Sequence, residues 1–361
     1  MIDVARAAGV SRTTASFVLN GRDASIPPET RERVRLAAER MGYRPHDGAL
    51  ALATGTTHRI GILLNEPDSF NAADPYFINT LRGVTVGALR HDYNLLLYSA
   101  HYPDYRSLCD GLLSGAADGV LLIGRYSDDR LTPALLDSGL PCVCVSFHID
   151  HPRCYSVDCD NEAGSRMAVE HLLQLGHRQI IICHPGDDVS WGRERLSGAQ
   201  QAMRSAGLPA KNLRTFPWSE THAPSFEWVK QVAEFVRTAM PRPTAIFCCD
   251  EWRAQKLCEY LPKIGLRVPG DVAMISYNST EASVRSHPPI SSVWQPLADI
   301  GEAAVGMLVR LIAGLSLEQH IQRFPVRLDV RESSRFCEAS QDTFVAIQSQ
   351  PTESEEREVG S

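Results

Sequence analysis

MIDVARAAGVSRTTASFVLN, residues 1–20, reads as a short helix, a glycine-centred turn and a second short helix. Asp3, Val4, Ala5 and Ala8 fit a first helix with an apolar face. Gly9 supplies the left-handed residue that stops it, and Val10 plugs the turn. Ser11 is a good N-cap for the next helix, because its hydroxyl can accept from a free backbone N–H. From Arg12 to Asn20, the residues Ala15, Val18 and Leu19 share an inner face, while Arg12, Thr13, Ser16 and Phe17 point outward. That is the pattern of a helix-turn-helix whose second helix enters a DNA major groove. Pro27-Pro28 opens a third helix, Glu29 to Met41, since proline suits the first helical turn. Its inner residues Val34, Ala37, Ala38 and Met41 close a three-helix core.

Beyond this head the chain changes character several times. PHDGALALATG, residues 45–55, is too short and too poor in large apolar side chains to fold alone, and reads as a linker. Apolar runs then alternate with helical patterns: RIGILLN (59–65), NLLLYSA (94–100), GVLLIG (119–124), PCVCVSF (141–147), QIIICHP (179–185), TAIFCCD (244–250) and VAMISYN (272–278). Continuous apolar strands separated by helices mean parallel sheets covered on both faces. There are too many strands for one compact sheet, so the expected fold class is α/β, with two Rossmann-like lobes behind a small all-α head. The tail, residues 336–361, has no apolar period and many acids, and is expected to be disordered.

Composition agrees with this plan. The chain has 361 residues, 43% of them hydrophobic, enough for one large or two medium cores. No apolar run reaches the length of a membrane span and no signal-peptide pattern opens the chain, which places the expected site of action in the cytoplasm with no membrane partner. The ten cysteines lie mostly in strand-like runs and read as small buried hydrophobes; no spacing supports a metal or a disulfide framework. Net charge is −7, yet residues 1–58 hold eight arginines against six acids, a net of +2 that leaves −9 for the rest. A small basic head on an acidic body can hold phosphates with the head alone, and so weak an excess calls for two heads acting together.

Longer motifs carry a resemblance. Asp3-Val4-Ala5, Ala8-Gly9-Val10-Ser11, Thr14, Ser16, Val18-Leu19-Asn20, Thr30 to Val34 and Gly42-Tyr43-Arg44-Pro45 together resemble the head of a lactose-repressor (LacI) family transcription regulator. The likeness continues through Asp74-Pro75-Tyr76-Phe77, Leu175-Gly176-His177-Arg178, Arg195-x-x-Gly198, Pro243 to Asp250, Gly265 to Asp271 and Ile290 to Pro296. It implies a type I periplasmic-binding-protein-like body behind the head. The implied division is a head at 1–45, a hinge at 46–57 and an effector-binding and dimerisation body at 58–335. Within the body, lobe one is 59–160 plus 291–320, and lobe two is 161–290 plus 321–335.

The resemblance also implies roles. In the head, Arg12 and Thr13 begin the recognition helix; Arg12 can donate twice to guanine or grip a phosphate. Ser11, Thr14, Asn20 and Arg22 are placed as phosphate anchors, with Ser16 on the same outward face. Phe17 stands where many relatives carry arginine; it either touches a thymine methyl or packs against the protein and reads nothing. Pro45, Ala49 and Leu52 fit the family's hinge pattern, with His46 in place of its asparagine and Leu52 as the minor-groove wedge, although Asp47 and Gly48 disfavour a hinge helix and leave a plain linker open. Arg195, Asp250 and Asn278 are the expected polar shell of a small-molecule effector, with Tyr76, Phe77, Trp218 and Phe226 either as apolar faces for a sugar ring or as core residues. For Trp218 and Phe226 the core is the favoured alternative. The family's usual pairs at 250–251 and 278–279 are replaced here by Asp250-Glu251 and Asn278-Ser279, which leaves the effector's identity open.

No nucleophile elbow, zinc-protease motif or P-loop is present, so no catalytic residue, metal or cofactor is expected and the chain does not read as an enzyme. The expected function is a sequence-specific regulator, a repressor, whose homodimer binds a near-palindromic double-stranded operator under control of a sugar or related polyol. A solute-binding protein without a transcriptional role is the alternative. Asp3 sits inside the first helix with no capping residue ahead of it. The expectation is therefore a native start a few codons upstream, or a head that folds fully only on DNA.

Overall fold

The computed structural model describes residues 1–20, 25–44, 51, 55–64, 75–99, 102–124, 130–218 and 226–335. The head is three helices, α1 (Ile2–Ala7), α2 (Arg12–Leu19) and α3 (Pro28–Arg40). Val4, Ala5, Ala8, Ala15, Val18, Val34, Ala37 and Ala38 form its core. Gly9 adopts φ +65° at the turn, and the Ser11 hydroxyl accepts from the Thr14 N–H at 3.0 Å as an N-cap. No side chain caps α1. Met41, expected inside, is half exposed. The helix ends one residue before it, and the chain turns through Gly42 so that Tyr43 packs on that face instead.

Two six-stranded sheets follow. The first contains β1 (Arg59–Leu64), β2 (Asn94–Leu97), β3 (Gly119–Ile123), β4 (Cys142–Val145), β5 (Ser156–Cys159) and β11 (Ile321–Phe324), in the order β11-β5-β4-β3-β1-β2. The second contains β6 (Ile180–Pro185), β7 (Leu213–Trp218), β8 (Ala245–Cys248), β9 (Ala273–Asn278), β10 (Ser291–Trp294) and β12 (Arg327–Asp329), in the order β12-β10-β9-β8-β6-β7. Among the described strands every pairing is parallel except β10 with β12. The central strands β3, β4 and β8 are buried at every residue, as continuous apolar runs require. The run at 94–100 behaves differently: β2 is an edge strand, and Leu97 is half exposed.

Helices cover both sheets at close range. Gly83 and Gly301 let the helices Pro75–Arg90 and Leu297–Ile312 touch backbone to backbone; a Cβ at Gly83 would run into the Ala298 carbonyl oxygen. A Cβ at Gly198 would meet the Glu162 carbonyl oxygen in the same way, so the helices Asn161–Gln174 and Ser190–Ser205 are equally close.

Two lobe boundaries need correction. Ser291–Trp294 was expected in lobe one, but pairs with β9 in the second sheet, Ser291 opposite Ile275 and Trp294 opposite Asn278. Ile321–Phe324 was expected in lobe two, but pairs with β5 in the first sheet, Ile321 opposite Ser156 and Phe324 opposite Cys159. Each strand completes the sheet it is leaving, because its backbone donors and acceptors are satisfied there before the chain crosses. The crossings therefore follow β5, β10 and β11.

Candidate DNA interface and ligand cleft

In the head, α2 separates its faces cleanly. Ala15 and Val18 are buried, whereas Arg12, Thr13 and Phe17 are exposed. Ser16 accepts from Asn20 Nδ2 at 3.2 Å, and the hydroxyls of Ser11 and Thr14 lie 2.9 Å apart. Four of the expected DNA contacts therefore hold one another in the free head. Arg22, His46, Ala49 and Leu52 lie outside the described residues, as do Asp74, Cys337 and the tail.

Between the lobes, the first crossing builds a polar knot. Asp160 caps the helix Asn161–Gln174 by accepting from the Ala163 N–H at 2.9 Å. This fixes Asn161, whose Oδ1 accepts from Arg195 Nε at 2.9 Å and whose Nδ2 donates to Asp158 at 3.0 Å. Arg195 Nη1 donates to the Cys249 carbonyl at 2.7 Å, and its guanidinium lies 3.4 Å from the Tyr277 ring centroid and 4.5 Å from that of Trp191. Arg195 thus ties the first crossing, the helix Ser190–Ser205 and the ends of β8 and β9 together while almost fully buried. Asp158 also accepts from the Cys159 N–H at 2.7 Å. Burial pushes its carboxyl up to about 7, against the lowering effect of that bond.

Asp250 and Asn278 flank this knot with their side chains engaged. Asp250 caps the helix Glu251–Tyr260 through the Arg253 N–H at 2.8 Å, and Arg253 stacks over Trp218 at 4.3 Å. Trp218 is buried edge-on against Trp228, with ring centroids 5.8 Å apart, so it is a packed residue one step from Asp250. Phe226, for which the core was favoured, is instead 60% exposed; it opens the helix Phe226–Thr238, where its ring meets Tyr260 edge to face at 5.3 Å and lies under Lys230 at 4.8 Å. Asn278 adopts φ +96° and accepts from Gln295 Nε2 at 2.6 Å. The two departures from the family pattern meet here. Glu251 is buried and accepts from the Thr280 N–H at 2.9 Å, the Thr280 hydroxyl at 2.5 Å and the Ser283 N–H at 3.1 Å. It therefore holds the turn that follows Asn278-Ser279. Tyr76 and Phe77 lie in the first turn of Pro75–Arg90, in lobe one, edge to face at 5.1 Å.

Sequence reasoning missed a second set of groups, after β4 and on the first turns of the helix Ser190–Ser205. Ser146 follows β4 at φ +62°, and its hydroxyl is buried without a hydrogen-bond partner among the described residues. His148 donates its backbone N–H to the Ser190 hydroxyl at 3.0 Å, while its ring Nδ1 is buried and unpartnered among the described residues. Glu194 accepts from Arg323 at 2.7 Å and lies 3.9 Å from His148 Nε2. Trp191 packs against the apolar clusters of both lobes. The available signal was positional: ligands in open α/β sheets bind beyond the carboxyl ends of strands, and Ser146 ends the apolar run PCVCV.

A three-helix head with an exposed second helix, followed by two parallel-stranded lobes tied together by a buried polar knot, has the architecture of a DNA-binding protein with a ligand-binding body. The chain belongs to the lacI family of bacterial regulatory proteins: that family description matches residues 1–46, and a periplasmic binding protein-like domain matches residues 169–334. It is 30% identical over 333 residues to the HTH-type transcriptional regulator CelR of Thermobifida fusca, covering 91% of this chain and 96% of the relative. It is 28% identical over 334 residues to the HTH-type transcriptional repressor PurR of Photobacterium profundum, covering 92% and 97%. A solved CelR–cellobiose complex superposes with a TM-score of 0.68 at 29% identity, covering 92% of this chain and 98% of that one. The chain is a DNA-binding transcription regulator controlled by a small molecule, and the relatives it matches are regulators rather than enzymes. Among the described residues no helix is long and apolar enough to cross a membrane.

Proposed function

We propose that the protein is a homodimeric repressor that binds a near-palindromic operator in the cytoplasm and responds to a sugar or related polyol held between its lobes. The observation that carries the ligand class is a pair of polar atoms just after β4 that are buried and unpartnered among the described residues, Ser146 Oγ and His148 Nδ1, on a segment that the His148 N–H ties to Ser190 of the helix Ser190–Ser205. Buried polar atoms left unpaired cost stability, and a ligand rich in hydroxyls satisfies both donors and acceptors. A relative's structure with cellobiose supports the same class. Arg195, Asp250 and Asn278, with Tyr76, Phe77 and Trp218 around them, remain the proposed shell, with Asp250 and Asn278 reached by displacing Arg253 and Gln295.

Self-association is supported by the helix Pro75–Arg90, which exposes Ile78, Val86 and Leu89, and by Leu97 on the neighbouring edge strand. Two copies joined there place two α2 helices for adjacent half-sites. In the head, Arg12 and Thr13 face base edges, with Ser11, Thr14, Ser16, Asn20 and Arg22 on phosphates. His46, Ala49 and Leu52 form the hinge.

A thermal-shift screen of sugars, polyols and purines against the full chain tests this reading. A cleft ligand at 100 times its Kd stabilises the fold by about 2.7 kcal/mol, a rise of a few degrees in melting temperature. The expected hit is a sugar or polyol that also changes operator retention in a gel; a purine hit, or a hit with no effect on DNA binding, contradicts it.

A further inference from the structure

On α2, Ala15 and Val18 point into the head, so Thr13, Ser16, Phe17 and Asn20 lie on the opposite side, at i, i+3, i+4 and i+7. Ser16 and Asn20 are hydrogen-bonded to each other, which fixes the rim of this stripe. Phe17 projects beside them with 43% of its surface exposed, so it is not a core residue of the described head.

A phenyl ring has no donor or acceptor. Set against guanine O6 and N7, adenine N6 and N7 or cytosine N4, it strips water from a polar edge and replaces nothing. Thymine alone among the bases offers a methyl group in the major groove. We propose that Phe17 reads the 5-methyl group of one thymine in each operator half-site, so that this position is recognised by apolar contact. The inference rests on the proposed operator binding, with α2 in the major groove.

The test begins with selection of duplexes from a random library by the full-length protein. Failure to enrich any sequence overturns the operator reading itself. With a selected operator, each thymine is replaced in turn by deoxyuridine, which removes only the methyl group. The expected result for the wild type is one position per half-site where the replacement weakens binding about fourfold, the worth of one buried methyl group. Phe17→Ala should bind more weakly than wild type, melt at the same temperature because the ring is exposed, and show no loss at that position. Uracil tolerated everywhere, or an equal loss in Phe17→Ala, overturns the inference while leaving the operator reading intact.

Discussion

Asp158 is the residue where the cleft's electrostatics are most exposed to experiment. Its ordinary value of 3.8 is raised to about 7 by complete burial. The folded state therefore favours the protonated form: the stability tied to this group is full below the unfolded value and is lost as pH rises through about 7. His177 works in the opposite sense. Burial lowers it to about 4, so its contribution is present above 6.5 and is lost as pH falls. Urea unfolding of Asp158→Asn and wild type between pH 4 and 8 separates the two. The difference should move in the variant's favour by on the order of 3–4 kcal/mol across that range; a pH-independent difference contradicts the assignment. Arg195 was legible from its motif spacing, and so was the polar character of 250 and 278. What the sequence concealed is how each is held. Arg195 is anchored by a backbone carbonyl at Cys249, and Asn278 by Gln295 seventeen positions away. Neither a carbonyl's direction nor a distant partner leaves a local pattern.

The helix Ser190–Ser205 is the element that joins the lobes. Ser190, Trp191 and Glu194 on its first turns reach His148, the lobe-one core and Arg323. The Glu194–Arg323 pair is only partly buried, so it is worth about 1 kcal/mol, roughly a fivefold change in the balance between closed and open lobes. Glu194→Gln should raise the radius of gyration of the free protein in X-ray scattering and weaken the cleft ligand by up to that factor. An unchanged radius and unchanged affinity show that this turn does not hold closure. Elements differ in how far they announce themselves. Strands buried on both faces stand out as apolar runs. By contrast, β7 is buried only at its two ends, Leu213 and Trp218, and carries Pro217 at a sheet edge. β5 reads SVDC, with two polar side chains buried by partners outside the strand. β11 and β12 are short and half exposed. None of these has the composition that marks a strand.

At the scale of the whole molecule, alternation of apolar runs and helical segments was enough to foresee two parallel sheets. Which sheet each late strand joins was not, because the chain crosses between lobes after β5, β10 and β11 and nothing local in ISSVW or IQRF names a partner. The head was the most legible part, since its core is assembled from residues close in sequence. Joining head and body in one chain has a thermodynamic consequence. If effector and operator each favour one arrangement of the lobes, each must change the other's affinity by the same factor. The direct test is calorimetric titration of the screened sugar or polyol into the full-length protein, once alone and once saturated with its selected operator. Two different affinities are expected, with a ratio equal to the factor by which the ligand changes operator binding, within the range of about 5 to 150. Identical affinities with and without DNA contradict coupling between cleft and head.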